Sequence, residues 1–151
     1  MSTANTIELI VELDASPEEV FRAISDPQEL TKWFPDAAVL EPKVGGKFML
    51  SFYKDSPNGR MKKSDRDFIN KGRVLEIVPN RKLVHTWQWT EFGGFPETVV
   101  KWELVEIGNN KTRLTLTHSG FTGREEGPAS MQDHNKGWSF FLGELASYCK
   151  K

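Results

Sequence analysis

The chain has 151 residues, with 20 lysines and arginines against 21 aspartates and glutamates, and 38% of its residues are hydrophobic. That length suits one domain over residues 1–151 with a substantial core, and the charge balance gives no general attraction to nucleic acid or to an anionic membrane. The single cysteine, Cys149, excludes an internal disulfide and argues against a cysteine-based metal site.

The opening MSTANT has neither the basic start nor the apolar run of a secretory signal, and no stretch approaches the ~20 apolar residues of a membrane span. A cytoplasmic protein without membrane insertion is the expectation. The one basic cluster, RMKKSDR at 60–66, is interrupted by Asp65 and reads as a solvated loop, not as a phosphate-binding patch.

In chain order, TIELIVELD at 6–14 alternates Ile7, Leu9, Val11 and Leu13 with Glu8 and Glu12, the period of a half-buried strand. Ser16-Pro17-Glu18-Glu19 is a capping-box pattern with proline in the first helical turn, so a short helix follows with Val20, Phe21 and Ile24 on its apolar side. Asp26-Pro27 ends that helix and starts another carrying Leu30, Trp33 and Phe34, which Pro35 closes.

From Asp36 the pattern turns to β for nearly ninety residues, punctuated by Gly45-Gly46, Pro57-Asn58-Gly59, Pro79-Asn80, Gly93-Gly94 and Gly108-Asn109-Asn110. Strands are predicted over 37–42, 46–54, 68–78, 82–91, 98–107 and 112–119, mostly with short connections that favour antiparallel neighbours. The long polar link from Asp55 to Asp67 is predicted to form a mobile lip. Residues 128–151 then place Met131, His134, Trp138, Phe141, Leu142, Leu145 and Cys149 on one face of a helix that starts at Pro128. Phe140 falls about half a turn off that stripe: it is exposed, packs under the 121–128 loop, or belongs to a self-association surface.

Strand parity turns three rows inward: Leu83, His85, Trp87 and Trp89; Val100, Trp102 and Leu104; Leu114, Leu116 and His118. The predicted fold is α+β, a seven-stranded curved antiparallel sheet wrapped around one long C-terminal helix, with two short helices between the first two strands.

Several local motifs bear on the family. They are Ala15-Ser16-Pro17-Glu18-Glu19-Val20-Phe21, Asp26-Pro27 with Leu30 and Trp33-Phe34, and Gly45-Gly46-Lys47-Phe48. Further along come Gly72 to Pro79 (GRVLEIVP) with Leu83 and Trp87, Thr112 to Phe121 (TRLTLTHSGF), and Gly137-Trp138. With this element order, the chain resembles the SRPBCC superfamily, the helix-grip fold shared by the birch-pollen allergen type and START domains. It is most similar to the branch named after the C-terminal domain of the activator of heat shock protein 90 ATPase. The resemblance implies a cavity between sheet and C-terminal helix and carries over no catalytic set. Superfamily members act as carriers of apolar small molecules, polyketide cyclases, self-sacrifice resistance proteins and co-chaperones.

Aromatic rings offer apolar area with few rotatable bonds, which suits flat hydrophobic ligands, and a few polar tips fix orientation. The candidate ligand-binding residues are therefore Trp33, Phe52, His85, Trp87, Trp89, Trp102, His118, Phe121, His134, Trp138 and Phe141. The leading expectation is a non-enzymatic protein holding a hydrophobic, aromatic or lipid-like molecule, with Trp87, Trp89 and Trp102 on one side and Trp138 and Phe141 on the other.

His85, His118 and His134 lack metal-ligand spacing, so no metal and no cofactor is expected. The inward rows hold no carboxylate, Ser119 and Ser139 have no acid in triad order, and Gly-x-Ser-x-Gly is absent, so no catalytic residue is assigned. Two other functions stay open: a cyclase-like enzyme guided by pocket shape, and a co-chaperone partner implied by the branch name. The eukaryotic activators use an additional N-terminal chaperone-binding domain, for which 151 residues leave no space. The expected assembly is a monomer or weak homodimer.

Overall fold

The computed structural model describes residues 5–54, 66–92 and 95–150. The element order is β1 (Thr6–Leu13), α1 (Pro17–Ser25), α2 (Pro27–Leu30), β2 (Ala37–Leu40), β3 (Lys47–Phe52), β4 (Phe68–Val78), β5 (Lys82–Trp89), β6 (Thr98–Gly108), β7 (Lys111–Ser119), a 3₁₀ turn (Gly127–Ala129) and α3 (Met131–Cys149). The strands form one sheet ordered β1-β7-β6-β5-β4-β3-β2. Every neighbouring pair is antiparallel. The predicted helix-grip arrangement is therefore the observed one, with α1 and α2 carrying the chain from one edge of the sheet to the other.

Local chemistry accounts for the joints. The Ser16 side chain accepts from Glu19 N at 3.2 Å while the Glu19 carboxylate accepts from Ser16 N at 3.1 Å, a complete capping box that also lowers the Glu19 pKa. Asp26 ends α1 and caps α2, accepting from Gln28 N at 2.9 Å. Asn80 and Asn110 take up positive φ in the turns after β4 and β6, a conformation asparagine tolerates better than most residues. Gly72 has a different purpose: a Cβ there would lie 2.2 Å from the Thr86 carbonyl oxygen, so only glycine lets β4 close on β5 next to the bulge between Val74 and Glu76.

Several boundaries differ from the sequence-based expectation. α3 begins at Met131, because the Ser130 side chain accepts from Asp133 N at 3.0 Å, and Pro128 lies in the separate 3₁₀ turn. α2 ends at Leu30, leaving Trp33 and Phe34 in the following turn, and the strands predicted to run to 54 and 91 stop at Phe52 and Trp89. The predicted lip at 55–67 lies almost wholly outside the described residues.

The core sits between the concave face of the sheet and α3. Leu83, Val100, Leu114 and Leu116 are buried from the sheet side, Trp138, Phe141, Leu142 and Leu145 from α3, and Val20, Ile24 and Leu30 from the short helices. Phe140, 49% exposed, touches Phe141 edge-on at 5.1 Å between ring centroids. No helix among the described residues is long and apolar enough to cross a membrane.

Candidate functional site

Alternation along β5 sends His85, Trp87 and Trp89 inward in sequence, spaced ~6.6 Å apart along the strand. Their neighbours come from other elements: Trp102 from β6, His118 from β7, and His134, Trp138 and Phe141 from successive turns of α3. All eleven predicted residues are brought into one continuous aromatic cluster. The rings meet one another: Trp87 and Trp138 lie 5.0 Å apart, Phe34 and Phe141 4.7 Å, Trp102 and Trp138 5.5 Å, and Phe52 and Trp89 5.8 Å. Trp33 is fully buried, stacked on Phe34 at 5.1 Å and edge-on to Trp102 at 6.4 Å.

Each buried indole needs an acceptor for its N–H. Trp33 Nε1 donates to the Ala23 carbonyl at 2.9 Å, and the other four donate to histidines. Trp102 donates to His85 Nε2 at 3.0 Å, and Trp138 to His118 Nδ1 at 2.9 Å. Trp89 and Trp87 share one acceptor, His134 Nε2, at 2.9 and 3.4 Å.

The remaining partners set the tautomers. His85 Nδ1 lies 2.9 Å from the Thr86 carbonyl and His134 Nδ1 2.9 Å from the Ser130 carbonyl, so both carry their proton on Nδ1. The Thr98 hydroxyl donates to the Trp87 carbonyl at 2.7 Å and lies 2.7 Å from His118 Nε2, which therefore holds the His118 proton and donates it.

Burial disfavours the charged form of all three rings. It holds His85 at about 4, against the opposing pull of its bond to Thr86. It holds His118 well below the usual histidine value, reinforced by repulsion from His134 and His85. Burial also lowers His134, although the Ser130 carbonyl, Asp133 and Glu125 act in the other direction. These are neutral acceptors that fix the indoles, and each ring nitrogen is already engaged.

At the Trp89 end the interior meets a groove of about 520 Å³, within the usual size range of ligand pockets (~300–1,000 Å³). Phe92, Phe95, Thr122, Arg124, Glu126 and Ala129 line it together with Glu125. Its exposed lining is more polar than apolar, and its two rings tie it to the interior: Phe95 stacks on His134 at 5.6 Å and meets Phe121 at 6.3 Å, while Phe92 lies 6.0 Å from Trp89. Glu125 is occupied in shaping the wall, accepting from the Thr122 hydroxyl at 2.6 Å and from Gly123 N at 3.1 Å. Arg124, Glu125 and Glu126 bring charges of both signs to the groove.

None of the eleven predicted residues lines this groove: Trp89, Phe121 and His134 touch its Phe92 and Phe95 from behind, and the others pack against one another in the interior, with Trp33, His85 and Trp102 at the far end. The sequence reading missed Phe68, Phe92, Phe95 and Asn70. Phe92 and Phe95 flank Gly93-Gly94 and were absorbed into a turn signal. Phe68 and Asn70 stand at inward parity with Val74, a row that strand alternation makes readable.

Comparison with known proteins follows the same lines. The family model described as "Activator of Hsp90 ATPase homolog 1-like protein" matches residues 14–150. No curated protein matches the chain. Among solved structures, protein CV1439 from Chromobacterium violaceum is 25% identical with a TM-score of 0.79, covering 97% of this chain and 98% of that one. PFC0360w, an HSP90 activator from Plasmodium falciparum, is 25% identical with a TM-score of 0.73, covering 94% of each chain. DynU16, from the dynemicin biosynthetic locus, shares the fold at 24% identity and a TM-score of 0.75; the match covers 97% of this chain but only 48% of that protein. The match over 14–150, together with the helix-grip sheet, makes this chain a member of the Activator of Hsp90 ATPase homolog 1-like family.

Proposed function

We propose that the protein binds a flat, uncharged hydrophobic small molecule, aromatic or lipid-like, at the end of the sheet–helix interface where the groove over Phe92 and Phe95 meets Trp89 and His134. The observation that carries this reading is the continuity of the groove with the aromatic cluster, through the stacking of Phe95 on His134 and the contact of Phe92 with Trp89. Rings with few rotatable bonds lose little entropy when a planar ligand settles on them.

Bound ligand should alter tryptophan fluorescence and raise the melting temperature, because binding the native state alone stabilises it. A library of flat apolar compounds that produces neither change, together with native mass spectrometry showing no co-purifying molecule, would contradict the reading.

The similarity to the Plasmodium falciparum HSP90 activator supports a second reading, stimulation of a chaperone ATPase. Chaperone ATPase rates measured with and without saturating protein decide it, and an unchanged rate would dismiss it. A cyclase-like activity has less support, since the nitrogens of His85, His118 and His134 are engaged by indoles, carbonyls and Thr98.

A further inference from the structure

Asn70 stands in the middle of β4, paired with Leu50 on β3 and with Trp89 on β5. It shares the inward parity of Val74 and is 0% exposed. Neither Nδ2 nor Oδ1 of its side chain has a hydrogen-bond partner among the described residues. The contrast with other buried polar groups is sharp. Thr98 and Thr112 bond to carbonyls, and the three histidines use both ring nitrogens. A buried amide with its donor and acceptor both unmet is unfavourable, and leucine would serve the fold better at this position.

Asn70 does not line the groove itself; Trp89 stands between the two. Cross-strand neighbours in an antiparallel pair hold their Cβ atoms ~4.5–5.5 Å apart, so Trp89 is the adjacent side chain on β5. Trp89 is only partly buried and is bordered by Phe52, Phe68 and Phe92, the last of which lines the groove. The Trp89 indole shares His134 Nε2 with Trp87, so its departure leaves that acceptor with a donor still at 3.4 Å. A shift of the Trp89 ring would therefore leave His134 Nε2 with Trp87 as its donor.

We propose that Asn70 is the polar anchor of the binding site, and that the ligand class it selects is a planar, neutral molecule carrying an adjacent donor and acceptor, as in a lactam or cis-amide. A primary amide offers one N–H and one carbonyl side by side, and such an edge satisfies both at once. This rests on the small-molecule reading above and deepens it: the aromatic rings supply affinity, and Asn70 supplies selection by polar edge. A site with unmet polar groups discriminates strongly against analogues that cannot pair with them.

The test compares 2-quinolone, whose lactam presents both groups, with N-methyl-2-quinolone, which keeps the carbonyl and loses the donor. Titration calorimetry on the wild-type chain is expected to show 2-quinolone binding on the order of tenfold more tightly, the effect of one hydrogen bond. Asn70→Leu should remove that preference while keeping or raising the melting temperature; Asn70→Ala, which adds no bulk, should also abolish it. Equal affinities in the wild type, a preference that survives both substitutions, or no binding of either probe would overturn the anchor role. Equal affinities would leave the small-molecule reading standing, whereas failure of every flat compound in the wider library would remove both. A loss of stability in both variants would show that the amide holds the fold together, and would also overturn the proposal.

Discussion

The two ends of the sheet–helix interface are built from the same residue types and differ in how their polar groups are matched. At the closed end, Trp102 has His85 to itself, His85 stacks on Phe48 at 3.8 Å, and Trp33 has the Ala23 carbonyl. At the groove end, Trp87 and Trp89 compete for His134, and Asn70 has no partner among the described residues. Matched polar groups in a low-dielectric interior rigidify a core, while an unmatched one there is costly. One aromatic cluster therefore divides into a part whose polar groups are fully matched and a part where they are not, the end at which we propose the ligand binds.

That contrast is broken most severely at the closed end. Trp102→Ala would open a cavity and leave His85 Nε2 without its donor, so denaturant unfolding should show a loss of about 3–5 kcal/mol. Acid should act on the same network. An unfolded histidine titrates near ~6.5, whereas burial depresses all three here, His85 to about 4. As pH falls below ~6.5 the unfolded chain takes up protons first, so stability is fully present above that value and declines as pH drops toward the folded pKa values. For His85 alone the loss amounts to roughly 3 kcal/mol by pH 4, at ~1.4 kcal/mol per pH unit. Urea midpoints measured from pH 7.5 to 4.5 check it, and a midpoint independent of pH would refute the neutral acceptor network.

At the groove end the balance reverses. Trp89→Ala should cost only about 1–2 kcal/mol of stability, because the ring is partly exposed and Trp87 remains to bond His134, yet it should change ligand affinity more than any other single indole substitution. A thermal melt and a ligand titration on the same sample read both effects. Ser16→Ala, remote from both ends, should remove the capping box for about 1 kcal/mol and leave binding untouched, a control that separates general destabilisation from local damage.

Much of the scaffold was readable because strand parity and capping are local. Ile7, Leu9, Val11 and Leu13 alternate without exception, and Ser16 with Glu19 forms the box its spacing implies. Inward placement of His85, Trp87, Trp102 and His118 followed from the same alternation. Which histidine accepts from which indole depends on register between β5, β6 and β7 and on the rotation of α3, none of which a single strand encodes. Asn70 was visible as one polar residue in an inward row, but its lack of a partner is a property of its surroundings. The start of α3 at Met131 turned on competition between two good N-terminal signals two residues apart, Pro128 and the Ser130 hydroxyl.

The division of the cluster is tested most directly by following the indole N–H signals of the five tryptophans in a ¹H–¹⁵N spectrum while titrating a flat apolar compound that raises the melting temperature. Binding at the groove end predicts large, saturable shifts for Trp89 and Trp87, with Trp33 and Trp102 unmoved. Equal shifts at Trp33 and Trp102, or a bound compound that leaves Trp89 unmoved, would contradict it.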